Sequence, residues 1–262
     1  MYSDKKTRKD VDYMTRKLTG NRNFRFAKQK ADGFGNFESV KDLEEFSTTK
    51  VYADGSNFAD NVQNIKMKAL KSIDIDTSFS EISAKTKAIL QGKDYATGGV
   101  LTTADDKSEP VCIAYERNYS DGTAERVVYY NVTLYEKDVA TTSETDSIEF
   151  TSQGFTGAAI PYTNVEFNLK NAIEYIIDNG DPDYSEEKFN SFFDFVQIPG
   201  TVKYLELSHT GTAVTDISVK GITFESNKFK IPATFKGDFS FKSGEELKTA
   251  TYSDETNTWT IA

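Results

Sequence analysis

The chain has 262 residues, 37% of them hydrophobic and 13% aromatic, enough apolar surface for one large domain or two smaller ones, which excludes global disorder. Its net charge is −10, from 31 Lys and Arg against 41 Asp and Glu, the opposite of the basic footprint that a compact nucleic-acid reader carries. One Cys (Cys112), one His (His209) and one Trp (Trp259) exclude an internal disulfide and a Cys/His zinc cluster, and leave triad chemistry a single imidazole.

The charge is uneven along the chain. Residues 1–30 hold ten Lys and Arg against Asp4, Asp10 and Asp12, a net +7 that leaves −17 on the other 232 residues. This predicts a basic N-terminal arm over residues 1–30, either solvated or held against the acidic body of a neighbouring copy. No apolar run follows the arm, so it does not read as a signal peptide. No window approaches the roughly 18 consecutive apolar residues of a membrane span. The expectation is a protein made in a cytoplasm and soluble there.

Glycines at 32–35 and Asp54-Gly55 punctuate short stretches, and Val51-Tyr52-Ala53 opens the first clear extended run. Residues 64–79 alternate with a period of two, the mark of a strand with one wet side. Ile65, Met67, Ala69, Ile73, Ile75 and Phe79 fall on one face, with Lys66, Lys68, Ser72, Asp74 and Asp76 on the other. Leu70 and Lys71 break the alternation, which predicts a bulge there. A helix follows, with Ser80 as N-cap, Ile82, Ile89 and Leu90 as its apolar stripe and Gly92 at the C′ position.

Residues 109–120 and 125–139 read as a β-hairpin with Asp121-Gly122 in its turn. A polar loop over 140–147 leads to a strand over 147–155, Ile148 and Phe150 inward, Glu149, Thr151 and Gln153 outward. Thr163 and Glu166 fit a capping box, and Leu169, Ala172, Ile173 and Ile176 share a helical face ending at Gly180, which predicts a helix over 163–180. Residues 178–187 form an acidic connector. After Pro199-Gly200 only short β-like runs remain, read as a small all-β unit over 199–262, or as strands completing the first sheet. Phe224, Phe229, Phe235, Phe239 and Trp259 are its candidate core. The division is an arm over 1–30, a core domain over 31–198 and the C-terminal unit.

Candidate chemistry is thin. Paired carboxylates run glycosidase reactions, but Asp74 and Asp76 alternate on a wet face as surface charges do. Asp181, Asp183, Glu186 and Glu187 lack the calcium-loop spacing, and neither Gly33-Phe34-Gly35 nor Gly98-Gly99 is followed by the Lys-Ser/Thr of a phosphate loop. His209 reads as a surface or turn residue and Cys112 as a core one. No catalytic residue, cofactor site or metal site is assigned.

The order of short motifs carries more. Thr49-Lys50-Val51-Tyr52-Ala53-Asp54-Gly55 precedes the alternating strand, and the capped helix closes in Leu90-Gln91-Gly92-Lys93. Pro110-Val111 opens a strand through Ala114-Tyr115-Glu116-Arg117, Asp121-Gly122-Thr123 turns it, and Val127-Val128-Tyr129-Tyr130-Asn131-Val132 returns. Glu144-Thr145-Asp146 marks a loop before Ile148-Glu149-Phe150-Thr151, and Gly154-Phe155-Thr156-Gly157 closes the set. Taken in order, these resemble the major tail proteins, or tail tube proteins, of long-tailed (siphovirus-type) bacteriophages of Gram-positive hosts. The resemblance spans about residues 48–160 and departs in two places: Tyr stands where the hairpin usually has Trp, and the last sixty-odd residues exceed the minimal pattern.

The resemblance implies a mainly β fold with one or two flanking helices, built on a β-sandwich or barrel-like core, to which the residues themselves add the small all-β C-terminal module. It implies a structural virion protein whose hexameric rings stack into the tail tube, the conduit for genome ejection. Its partners would be itself, the tape measure protein and the tail terminator. Genome DNA would pass without specific binding, with no membrane and no cofactor involved. The expected location is the virion tail, assembled in the host cytoplasm. On this reading Lys66, Lys68, Ser72, Asp74, Asp76, Glu149, Thr151 and Gln153 face the lumen, where acidic groups repel phosphates. Lys5, Lys6, Arg8, Lys9, Arg16 and Lys17 of the arm would make inter-ring contacts, with Asp54, Asn57 and Asp60 of a loop over Ala53–Val62. The alternative reading is a secreted or surface carbohydrate-binding β-protein, and behind it a glycosidase.

Overall fold

The computed structural model describes residues 16–59, 62–139, 152–211 and 213–262. Its architecture is mainly β, with 55% strand and 6% helix. The chain runs through β1 (Leu18–Lys30), β2 (Gly33–Phe34), β3 (Glu38–Ser39), β4 (Leu43–Ala59), β5 (Val62–Phe79) and helix α1 (Ala84–Gln91). The short hairpin β6 (Asp94–Ala96) and β7 (Gly99–Leu101) leads to β8 (Val111–Tyr119), β9 (Ala124–Glu136) and β10 (Gln153–Ala159). Then come β11 (Tyr162–Asn164), β12 (Leu169–Ala172), β13 (Glu174–Asp178) and α2 (Glu186–Asn190). The C-terminal unit holds β14 (Tyr204–Ser208), β15 (Val214–Thr215), β16 (Thr223–Glu225), β17 (Lys228–Pro232), β18 (Phe239–Ser243), β19 (Glu246–Ser253) and β20 (Thr258–Ile261).

One antiparallel sheet organises the body, in the order β2-β1-β8-β9-β10-β5-β4, with β3 beside β1 and β13 beside β9. Its centre, along β8 and the middle of β9, is buried on both faces. Phe24, Phe26, Ile113, Tyr115 and Tyr129 join one core cluster under α1, while Ala27, Cys112, Ala114, Val128 and Tyr130 join a second. That is why Val111–Glu116 is apolar almost throughout instead of alternating. Its single charge, Glu116, is buried between Arg22 Nε at 2.5 Å and Arg126 Nε at 2.8 Å.

The hairpin β8–β9 has the expected turn, with Gly122 at φ 85° and its N–H donated to the Tyr119 carbonyl. Helix α1 ends as expected at Gly92, φ 63°, the left-handed conformation that glycine adopts without cost. Its start differs: Ser83, not Ser80, is the N-cap, its Oγ accepting from Thr86 N, while the Ser80 hydroxyl donates to Glu44.

Three expectations are corrected. Leu18–Lys30, read from its charge as part of the arm, is strand β1, because Phe24, Phe26 and Ala27 bury between its charged positions. Residues 163–180 are not a helix but β11, β12 and β13. Asn168 and Asn171 turn the chain at φ 54° and 51°, and Tyr175-Ile176-Ile177, a β-favouring triplet, completes a ladder on β9. The supposed loop over Ala53–Val62 is a two-stranded ribbon, paired as far as Ala59 against Val62. The acidic connector also carries a short helix, α2, capped by Ser185.

The C-terminal unit has its own cluster, in which Phe229, Phe235, Phe239 and Phe241 bury fully and Phe224 and Trp259 partly. His209 is corrected from a surface residue to a buried one. It sits among Phe224, Phe229 and Phe241, its Nε2 3.3 Å from Ser243 Oγ. The unit is stitched to the body along Phe34: Phe34 N–H donates to the Thr234 carbonyl at 2.9 Å and Lys236 N–H to the Phe34 carbonyl at 2.7 Å. Phe195 of the body lies in the C-terminal cluster, and Ala233 of the unit in a body cluster.

Candidate assembly surfaces

The second half of the main sheet is different. Toward α1, β5 and β10 bury Ile73, Ile75, Phe79, Phe155 and Ala159. The opposite face is polar and made of cross-strand rows set by register. Ser47, Asp76, Thr156 and Tyr135 form one row across four strands, and Thr49, Asp74, Ala158 and Thr133 the next. Glu45, Ser78 and Gly154 lie in a third row, at whose end Lys137 N–H donates to the Gly154 carbonyl. Apart from Tyr135, the uncharged side chains of the face are small, and Glu45, Asp74 and Asp76 stand against Lys137, whose ammonium pairs with Asp76.

Of the residues expected on a lumen face, Ser72, Asp74 and Asp76 share this surface. Two do not. Val51 pairs with Ser72 but Tyr52 pairs with Leu70, so Lys71 is the extra residue of the expected bulge. The bulge reverses the alternation: Leu70 packs on the core together with Ile73, so Lys68 falls on the side of Leu70 and Tyr52, its ammonium 5.9 Å from the Tyr52 ring. Gln153 pairs with Phe79 and shares the core-side face of Phe155, with its amide oxygen buried and unpartnered among the described residues. Lys66 pairs with Ser56 on the ribbon; its side chain, with Glu149 and Thr151, lies outside the described residues. Glu45, Ser47, Thr49, Thr133, Tyr135 and Thr156 were missed. The alternation of Glu45-Phe46-Ser47-Thr48-Thr49 was the available signal.

Strand β4 is the second feature. It is 17 residues long and pairs with β5 along one side; among the described residues no other strand pairs with it, and the Asn21 amide of β1 donates to the Phe46 carbonyl at 3.3 Å. Beyond Ile73, β5 has left β10 as well, so among the described residues neither edge of the outer ribbon has a paired strand. Asp54 lies on it 3.9 Å from Lys68, and Asn57 pairs with Ile65, while Asp60 lies outside the described residues.

The root of the N-terminal segment is the third. Lys5, Lys6, Arg8 and Lys9 lie outside the described residues. Arg16, expected to reach another ring, is engaged within its own chain. Its guanidinium grips the Asp178 carboxylate at 2.5 and 2.6 Å, donates to Thr123 Oγ1 at 2.8 Å and lies 3.6 Å over the Tyr119 ring. This bidentate pair holds the Asp178 carboxyl below the usual range and raises the guanidinium. Burial and the hydrogen bond to Glu125 push the Tyr119 hydroxyl up to about 12. The Lys17 backbone N–H donates to Ser120 Oγ.

Other chemistry is sparse in the described part. No three His, Cys, Asp or Glu side chains there gather as a metal-holding group, and no helix is long and apolar enough to cross a membrane. Asp194 is the one described carboxyl raised, by burial, and its charged neighbours Lys220, Arg25 and Arg126 are all cationic. A glycosidase pair would need a second carboxyl facing it. Compared with known proteins, the chain matches no family and no curated sequence.

Proposed function

We propose that this chain is a structural subunit that joins copies of itself edge to edge into hexameric rings, and that the rings stack into a phage tail tube. The observation that carries the proposal is the long outer edge of β4, with no strand paired to it among the described residues, whose last residues form a ribbon with β5. Proteins that act alone cap or shorten such edges, and closing sheets into a ring removes them. A head-to-tail edge contact closes into a ring when its rotation allows.

The polar face supports the second half of the proposal. It lies on the strands that carry the open edge, so ring closure would turn it into one continuous wall. Small hydroxyls and an excess of carboxylates suit a conduit for duplex DNA, which must pass without binding. The tape measure protein and the tail terminator would be the further partners, and the virion tail the location.

The test is to block the edge. Thr49→Pro and Lys50→Pro each remove one backbone N–H, and neighbouring strand positions point theirs to opposite sides. The variant at the outward-facing position should stay folded and monomeric in sedimentation while the unmodified chain assembles. Undiminished assembly of both would refute the proposal.

A further inference from the structure

A cleft of about 720 Å3 lies where the body meets the C-terminal unit. The body contributes Ser185, Asn190 and Gln197 to its wall, and the unit contributes Thr201, Tyr204 and Thr223. Tyr204 and Thr223 come from the two outer strands of the sheet β14-β17-β16, opposite Pro232 and Lys230 of the central strand. Those partners are two residues apart, so both side chains share the sheet face that borders the cleft. Tyr204 is 43% exposed, a large aromatic surface left uncovered.

Gln197 is buried to 1% exposure. Its amide nitrogen donates to the Ser191 carbonyl and hydroxyl, but its oxygen has no partner among the described residues. Across the strap Gly200–Val202 a second cavity of about 230 Å3 is walled in part by Thr234, whose buried hydroxyl is likewise unpartnered. A buried polar group without a partner costs about 1–3 kcal/mol, so an amide oxygen and a hydroxyl beside adjoining cavities favour a ligand rich in O–H groups.

We propose that this cleft binds a short neutral saccharide. The charges around it argue for neutrality: Lys188 spends its ammonium on the Ile198 and Gly200 carbonyls, and Glu187 and Lys220 are of opposite sign. An anion would meet Glu187 and an apolar ligand would strand the hydroxyls and amides. A sugar uses both surfaces, stacking its C–H face on the Tyr204 ring while its hydroxyls pair with Asn190, Thr201 and Thr223. The inference does not rest on the tube proposal, since assembly and sugar binding are read separately.

The experiment is saturation-transfer NMR on the full chain with glucose, galactose, rhamnose and N-acetylglucosamine as probes and glycerol phosphate as the charged comparator. At least one neutral sugar should give a saturable signal. Tyr204→Ala should weaken it about tenfold, Tyr204→Phe should keep it, and Leu247→Ala, exposed on β19, should leave it unchanged. No saturable neutral sugar, a response to glycerol phosphate alone, or binding that survives Tyr204→Ala would overturn the proposal.

Discussion

Cutting the chain after Pro199 tests how far the C-terminal unit and the body are one folding unit. Removal of residues 200–262 takes the Thr234 carbonyl from Phe34 N–H and the Lys236 N–H from the Phe34 carbonyl. A backbone hydrogen bond contributes about 1 kcal/mol. The cut also uncovers Phe34 and Phe195, which are 0% and 3% exposed in the whole chain. Partial exposure of a Phe costs about 1 kcal/mol, half of its full burial. The body should therefore lose about 4 kcal/mol, a large part of the roughly 5–15 kcal/mol that a domain has. With a urea slope of about 2 kcal/mol per molar, the midpoint falls by about 2 M. Urea titration followed by far-ultraviolet circular dichroism compares the two chains. A body transition unchanged in midpoint and slope would refute the shared-core account and make the unit an independent appendage.

Three other outcomes follow from the geometry. Asp178→Asn should cost about 1 kcal/mol at pH 7, the side chain being a quarter exposed; because the folded carboxyl lies below its unfolded value, the advantage is whole above about pH 4 and fades as pH falls further, so the urea midpoints of the two chains should draw together as the pH is lowered below about 4. Gly157→Ala places a Cβ 2.0 Å from the Thr133 carbonyl oxygen, a backbone atom in the central sheet, and should cost about 3 kcal/mol in the same titration. Asp74→Lys, on the exposed polar face, should leave assembly intact but make tubes retain duplex DNA in a salt-dependent binding assay; tubes that bind none would count against a lumen position for that face.

Local signals were legible where local physics decides. The β8–β9 hairpin, the left-handed Gly92, the bulge at Lys71 and the short C-terminal strands all follow from turn glycines and period-two alternation. What the bulge did to the alternation was not legible. One inserted residue reverses the faces of everything beyond it, so Lys68 went to the wrong side although its break point was found. Residues 163–180 were misread because Leu169, Ile173 and Ile176 also fit a helical stripe, and only the ladder on β9 decides between the two. Charge hid β1: four of its cationic residues, Arg22, Arg25, Lys28 and Lys30, interleave with or flank Phe24, Phe26 and Ala27. The polar face was half legible, since the β5 row and Glu45–Thr49 of β4 alternate plainly while the matching positions on β9 and β10 are assigned only by strand order.

The central claim is self-association through the open edge of β4 into a hollow tube. Electron microscopy of the purified full-length chain tests it most directly. The account predicts six-fold rings or stacked tubes with a central channel, β4 lying against a strand of the neighbouring subunit. A protein that stays monomeric at every concentration, or whose assemblies leave β4 facing solvent, would contradict it.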